Sequence, residues 1–137
     1  MATTAIDVDA AAVAEAIQAY IGAVETEDLD AYARIVAHDP DLTWYGSMPG
    51  QIVGWGEVES VISGMFDELS GIRITQTDLR VHFSPDRNLA WATCLWDFRA
   101  KVGDQDIVEP TRCTWVLERR DARWVILHWH KSVGVPG

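Results

Sequence analysis

The sequence has few cysteines and few basic residues, and it has no long apolar run. Only two cysteines occur among 137 residues, and their spacing matches no metal-binding motif, so we expect neither a disulfide scaffold nor a structural zinc site. Eleven basic residues stand against 21 acidic ones, which gives a formal charge of −10. This charge repels phosphate backbones and anionic lipid headgroups. We therefore expect neither nucleic acid nor membrane as a partner.

The first residues also lack the features of a targeting segment. The stretch MATTAIDVDAAA contains no basic residue and no long apolar run, which predicts neither a signal peptide nor a transmembrane helix. We expect a cytoplasmic location, where Cys94 and Cys113 stay free thiols. No linker, repeat or low-complexity tract interrupts the chain, so we predict one domain over residues 1–137.

The C-terminal part of the chain predicts a long β-hairpin. Apolar and polar residues alternate over 113–117 and 124–130, on either side of the charged stretch 119–122, which is typical of two paired strands. If Arg120 pairs with Arg123, Trp115 falls opposite His128. One face then carries Cys113, Trp115, Leu117, Trp124, Ile126, His128 and His130. The other face is also apolar, so we predict that helices cover one side and a second subunit the other.

The rest of the chain predicts three helices followed by about four long antiparallel strands. The apolar spacing favours helices from Asp7 or Asp9 to about Thr26, over 29–37 and over 57–69, and strands over 73–84, 89–102, 106–118 and 123–133. A short strand at 42–45 and a glycine-rich loop at 46–56, with a strand at 51–53, lie between them. Pairing Val102 with Gln105 places Cys94 opposite Cys113, unless a bulge at Pro110 shifts the register by one residue. The order indicates an α+β fold.

Three stretches resemble the NTF2-like superfamily, in its SnoaL-like and ketosteroid-isomerase-like branch. They are AYIGAVETEDLDAYARIVAHDPDLTWYG (19–46), IVGWGEVESVISGMF (52–66) and ERRDARWVILHWHKS (118–132). The last is also similar to the association domain of calcium/calmodulin-dependent kinase II. The resemblance implies a cone, in which about three N-terminal helices pack on a strongly curved, mainly antiparallel sheet with a pocket at its open end. Because one fold of this kind hosts isomerases, cyclases, dehydratases and binding modules, the function has to be argued from the pocket.

The resemblance also shows which residues stand at the positions that catalyse steroid isomerisation in the family. Alignment with the steroid isomerases puts the family's tyrosine at Tyr20, its catalytic base at Trp44 and its oxyanion-hole acid at about Trp115. An indole cannot accept a proton, and its N–H only donates. Isomerisation of the steroid type is therefore not expected.

We predict a pocket in which His128 acts as acid or base, because imidazole changes charge near neutral pH, with Tyr20 as hydrogen-bond donor. The predicted ligand-binding residues are Trp44, Trp55, Phe66, Trp96, Trp115 and His130. Aromatic walls of this kind bind flat, apolar organic molecules. Two other interpretations remain open: the indoles simply fill the core, or His128 is a neutral core histidine bonded to a carbonyl or to Tyr20.

We predict no metal and no cofactor. His128 and His130 would supply only two ligands, with no third in register. Counting residues puts Lys131 on the opposite face, but the kinase association domains have an arginine near the pocket here. If local twist turns Lys131 inward, a carboxylate ligand becomes plausible. Tyr45, Ser47 and Gln51 of the glycine-rich loop are candidate caps for the pocket mouth.

Two functions are consistent with the sequence. The first is a SnoaL-like domain that binds a small apolar or aromatic molecule, with acid–base catalysis of the isomerase, cyclase or dehydratase type. The alternative is a dimerisation or ligand-binding module without chemistry. In both, we predict a homodimer through an apolar stripe on the outer sheet face, formed by Trp91, Leu95, Val116, Leu127 and Trp129.

Overall fold

The structure is a computed structural model, and it describes residues 7–46 and 49–134. Within these residues three helices come before four long strands, with two short strands between the second and third helix. The elements are α1 Val8–Glu25, α2 Leu29–Ile35, β1 Thr43–Tyr45, β2 Ile52–Val53, α3 Trp55–Glu68, β3 Ser70–Phe83, β4 Leu89–Val102, β5 Gln105–Arg120 and β6 Arg123–Val133. The predicted α+β class is confirmed. No helix among the described residues is long and apolar enough to span a membrane.

All six strands form one sheet in the order β2-β1-β6-β5-β4-β3. The pairs from β3 to β6 are antiparallel, whereas β1 joins β6 in parallel. Tight turns set the two long hairpins: Asp121 and Ala122 both have positive φ, 51° and 62°, as a two-residue turn that matches strand twist requires. The predicted pairings of Arg120 with Arg123 and of Val102 with Gln105 are confirmed.

The predicted register between β4 and β5 is also confirmed. Cys94 pairs with Cys113, and the ladder continues without a shift through Pro110, which pairs with Asp97. The bulge considered at Pro110 therefore does not form. Residues of even number on β4 and odd number on β5 point into the cone, and they supply nine of the buried hydrophobic residues of the core.

The predicted register between β5 and β6 is confirmed from the turn to the pair of Leu117 with Ile126, and it is wrong beyond that pair. Val116 pairs with His128 and Leu117 with Ile126, so Leu127 forms a β-bulge. One extra residue reverses the faces of everything after it. Trp115 therefore lies opposite Trp129, not His128.

The bulge is explained by the competition between an indole and two imidazoles for the interior. Regular alternation would bury His128 and His130 and leave Trp129 outside. Burying a tryptophan removes roughly 150–250 Å² from water, which stabilises the fold by on the order of 4–6 kcal/mol. Trp129 is accordingly buried, whereas His130 is exposed. The gain outweighs the loss of regular pairing at one residue.

Helix α1 is fixed across the inner face of the sheet at both of its ends. The carboxylate of Asp7 caps the helix by accepting the N–H of Ala10, and Asp9 accepts a hydrogen bond of 2.6 Å from Arg119 on β5. At the other end, the Glu25 carboxylate accepts the N–H of Ile74 on β3. These contacts hold the middle of α1 over the centre of the sheet.

Candidate functional site

The centre of the cone is filled by one aromatic cluster. Tyr20 on α1 stands in its middle, with ring centroids 4.8 Å from Trp115, 5.9 Å from Trp129, 6.3 Å from Trp96 and 6.4 Å from Trp44. All five side chains are buried. The structure thus brings together four of the predicted pocket residues and adds Trp129, which the unbulged register had placed outside.

A pair of tyrosine hydroxyls lies beneath this cluster. The hydroxyls of Tyr20 and Tyr32 are 3.0 Å apart, and both residues are fully buried. Burial raises the pKa of Tyr20, and the hydrogen bond from Tyr32 only partly offsets this. Burial raises the pKa of Tyr32 as well. Both side chains are therefore protonated at physiological pH, with one hydroxyl donating to the other, and neither is a base.

Two indole N–H groups in the cluster have no acceptor. The Nε1 atoms of Trp44 and Trp129 are buried and form no hydrogen bond with the described residues. The Trp44 indole lies close enough to the tyrosine pair to lower the pKa of Tyr20 slightly, but not in good hydrogen-bond geometry. A buried donor without an acceptor costs roughly 1–3 kcal/mol. Two buried hydrogen-bond donors of the cluster are therefore unpaired among the described residues.

An ion pair on the inner face lies beyond the cluster, toward the β4–β5 turn. Lys131 pairs with buried Cys113, and Glu109 pairs with buried Phe98, which places both charged side chains on the inner face. The Lys131 Nζ atom is 3.1 Å from Glu109 Oε1 and 5.1 Å from the centre of the Phe98 ring. The side chain of Lys131 is only 10% exposed and that of Glu109 30%. The bulge, rather than local twist, turns Lys131 inward.

The structure does not place His128 beside Tyr20. His128 and His130 lie on the outer face, opposite Val116 and Thr114. The Nδ1 atom of His128 donates to the carbonyl oxygen of Thr43, at 2.7 Å, because a carbonyl can only accept. The interpretation of His128 as a histidine bonded to a carbonyl therefore agrees with the geometry, although this histidine is half-buried on the outer face. Its acid–base role remains a prediction, but the predicted cavity shared with Tyr20 is not formed.

The other predicted site residues lie near the cluster or outside it. Trp55 begins α3 and stacks on exposed His38, with centroids 4.3 Å apart, while its ring is 6.3 Å from that of Tyr32. Phe66 is a half-buried side chain on α3 that packs against the core. Tyr45 stands edge-on to His128 on the outer face. Ser47 lies outside the described residues, so its predicted capping role stays untested.

The described residues also form two surface grooves, and neither contains a predicted site residue. One groove, of about 580 Å³, lies between α1, α2 and the β5–β6 turn. The other, of about 370 Å³, lies on the outer face beside β3. No group of three or more histidine, cysteine, aspartate or glutamate side chains within this part of the chain is arranged to hold a metal ion.

The sequence interpretation missed three residues of the inner face, for different reasons. Glu109 has the same parity on β5 as Cys113 and Trp115, so the confirmed register was enough to find it. Lys131 and Trp129 follow the bulge at Leu127. No local signal marks that bulge, so alternation alone assigns both residues to the wrong face.

A sequence model of the SnoaL-like domain matches residues 13–136, which is most of the chain. A search of the curated proteins gave no match.

Solved structures with the same fold come from several bacteria. An NTF2-like protein from Streptomyces avermitilis, titled a candidate dehydratase, has a TM-score of 0.85 at 18% identity, covering 96% of this chain and 100% of that one. An NTF2-like superfamily protein from Salmonella enterica has a TM-score of 0.85 at 20% identity, over 96% and 95% of the chains. A ketosteroid isomerase-like protein from Erwinia carotovora has 0.78 at 14%, over 96% and 100%. At these identities the similarity shows the fold alone, and it confirms the predicted NTF2-like cone.

Proposed function

The chain belongs to the SnoaL-like domain family, and from that premise we propose that it binds a small, largely apolar organic acid on the inner face of its cone. Lys131 would bind the carboxylate, and the aromatic cluster with Phe98 would contact the apolar body. The observation that carries the proposal is a nearly buried ammonium group that has one carboxylate partner within residues 7–46 and 49–134, 3.1 Å away.

The hydrogen-bond capacity of Lys131 supports a ligand oxygen. An ammonium group has three N–H donors and no acceptor. Among the residues that the structure describes, only Glu109 accepts a hydrogen bond from it, and a second side of the group faces the Phe98 ring. A further donor is thus available to an oxygen of the ligand.

The indole N–H of Trp129, beside Lys131, is also a hydrogen-bond donor that would bind a ligand oxygen. The buried Trp129 indole N–H forms no hydrogen bond of good geometry with the described residues, although it lies near enough to Cys113 to lower the pKa of that thiol. Trp129 lies two residues before Lys131 on the same face of β6. A ligand carboxylate has several lone pairs and would satisfy donors of both kinds. Because the net charge of −10 repels anions at long range, binding has to be due to this local group of donors.

The test measures binding of a carboxylate and its neutral amide to two matched variants. The probes are 2-naphthoate and 2-naphthamide, and titration calorimetry measures the affinity of each protein for each probe. Lys131→Met keeps an unbranched side chain of nearly the same length and removes its charge. We expect it to weaken naphthoate binding by about tenfold or more, roughly 1.4 kcal/mol, without weakening naphthamide binding. Lys101→Met is the control, because Lys101 is exposed and paired with Asp106 on the same sheet.

Glu109→Gln gives a prediction of opposite sign. The Glu109 carboxylate competes with the ligand for the ammonium group, so its removal should tighten naphthoate binding. Equal naphthoate binding by wild type and Lys131→Met, or no binding by wild type, would refute the proposal.

A second function, dimerisation, is favoured by a separate observation. Trp91 and Leu95 on the outer face are each 44% exposed, and Val116 lies beside Trp91 in the ladder. Large apolar side chains grouped on one face are typical of an interface. The predicted stripe needs two corrections. Trp129 is buried in the cone, and Leu127 is the bulge residue and is partly packed against the core.

Sedimentation velocity tests the interface directly. We expect wild type to sediment as a dimer at micromolar concentration, and Leu95→Glu to sediment as a monomer because a charge would be buried in the interface. Val53→Glu is the control, since Val53 is similarly exposed, at 42%, but lies on the short edge strand β2. A monomeric wild-type protein would remove the basis for this second function.

A further inference from the structure

The only two cysteines of the chain lie directly opposite each other on the inner face. Cys94 on β4 and Cys113 on β5 are ladder partners, and both are free thiols. Opposite residues in an antiparallel ladder have Cα atoms roughly 4.5–5.5 Å apart, which is inside the range of about 4.4–6.8 Å that a disulfide needs. We propose that Cys94 and Cys113 are a redox modification site, which forms a reversible intramolecular disulfide on exposure to a hydroperoxide.

The surroundings of the two sulfur atoms differ. The indole N–H of Trp115 donates to Cys94 Sγ at 3.4 Å, and an indole can only donate, so this sulfur is the acceptor. The adjacent Cys113 thiol and the Trp115 donor lower the pKa of Cys94. The neighbouring Cys94 sulfur and burial raise the pKa of Cys113. Because the Trp115 N–H donates to Cys94 Sγ and so favours a thiolate there, we assign Cys94 as the sulfur that reacts first and Cys113 as the thiol that completes the disulfide.

The chemistry balances with hydrogen peroxide as the oxidant. The Cys94 thiolate attacks one peroxide oxygen, the O–O bond breaks, and a sulfenic acid forms as hydroxide leaves. Cys113 Sγ then attacks Cys94 Sγ, the S–O bond breaks, and a second hydroxide leaves. The thiol protons convert both hydroxides to water. Two thiols are oxidised to one disulfide, and one peroxide is reduced to two waters.

An irregularity in β3 and a groove on the outer face lie beside the two cysteines. The β3–β4 register shifts between Thr77 and Arg80, opposite Cys94, and Asp78 has a φ of 56° there. The groove of about 370 Å³ on the outer face is lined at this point by Asp78 and by both cysteines. A bulge breaks the regular hydrogen bonding of a ladder and lowers the free energy of local opening. A peroxide molecule, which is close to water in size, can enter by such openings.

The experiment exposes the folded protein to hydrogen peroxide, then alkylates remaining thiols in denaturant and measures intact and peptide masses. Met65, which is half-buried, serves as an internal measure of exposure, and treatment continues until it is fully oxidised to the sulfoxide. Apart from the oxygen gained by each oxidised methionine, we expect loss of two hydrogen atoms, no alkylation, and a cross-linked peptide joining Cys94 to Cys113 that dithiothreitol separates. Two alkylatable thiols at full Met65 oxidation, separate oxygen adducts on the two sulfurs, or a disulfide between two chains would each overturn the proposal.

Single serine variants provide the matched control. In Cys94→Ser and Cys113→Ser the remaining thiol has no partner, so we expect oxygen adducts or a persistent thiol in place of the loss of two hydrogens. Serine is close to cysteine in size, and far-ultraviolet circular dichroism checks that each variant folds. If a variant unfolds, the wild-type cross-link still decides the proposal, since it needs no substitution.

Discussion

The hydroxyl pair of Tyr20 and Tyr32 gives the sharpest test of the buried site. Because the two oxygens are 3.0 Å apart and fully buried, Tyr32→Phe leaves the Tyr20 hydroxyl without its partner. An unsatisfied buried hydroxyl costs roughly 1–3 kcal/mol. An unfolding entropy of about 2.1 cal/mol/K per residue gives about 0.29 kcal/mol/K for 137 residues, so each 1 kcal/mol lowers the Tm by about 3.5 °C. We expect Tyr20→Phe and Tyr32→Phe each to lower the Tm by about 3–10 °C.

The double variant shows whether the two hydroxyls stabilise the fold through their mutual hydrogen bond or independently of each other. Tyr20→Phe/Tyr32→Phe leaves no tyrosine hydroxyl in the cluster, so its loss of stability should be smaller than the sum of the single losses by about 1 kcal/mol or more. Urea denaturation of the four proteins gives the coupling free energy. Tyr45→Phe, on the outer face, is the control, with a change expected within about 0.5 kcal/mol. Additive single losses would refute the hydrogen bond.

Three further predictions follow from the described contacts. Burial raises the pKa of both buried tyrosines, so the hydroxyls of the unfolded chain lose their protons at a lower pH than those of the folded chain. The free energy of unfolding should therefore fall above about pH 10, by up to 1.4 kcal/mol per pH unit for each tyrosine. Urea denaturation at several alkaline pH values measures this fall, which should be absent in the double phenylalanine variant. Gly54→Ala should destabilise the fold by about 1 kcal/mol or more, since the φ of Gly54 is +84° and a Cβ would lie 2.9 Å from the Pro40 carbonyl oxygen. Gly64 lies in open space on α3, so Gly64→Ala should stabilise the fold by roughly 0.5–1 kcal/mol. Equal Tm shifts in the two variants would contradict this. The hydrogen bonds from Arg120 lower the pKa of Asp39, so their contribution to stability is present above about pH 4 and is lost as the pH falls through the folded pKa. Asp39→Asn should therefore reduce the dependence of the unfolding free energy on pH between about pH 5 and 2. An unchanged pH dependence in this range would argue against the pair.

The sequence was sufficient for the features that depend on local pattern. The apolar spacing of α1, the alternation of β4 and the turn between Arg120 and Arg123 all predict the elements that the structure shows. The pairing of Cys94 with Cys113 follows by counting from the Val102–Gln105 turn. Each of these depends on residues close in sequence, where the period of the backbone fixes the direction of the side chains.

The faces of β6 were decided only in the folded chain. His128, Trp129 and Lys131 have the same local pattern whether or not Leu127 bulges, so alternation cannot choose between the two registers. The choice depends on Tyr20 and Trp44, which are distant in sequence and pack around the Trp129 indole. Sequence pattern alone thus determines the helices, the long strands and their turns. The tertiary structure decides which side chains enter the cone, because residues from several elements compete there for one apolar volume.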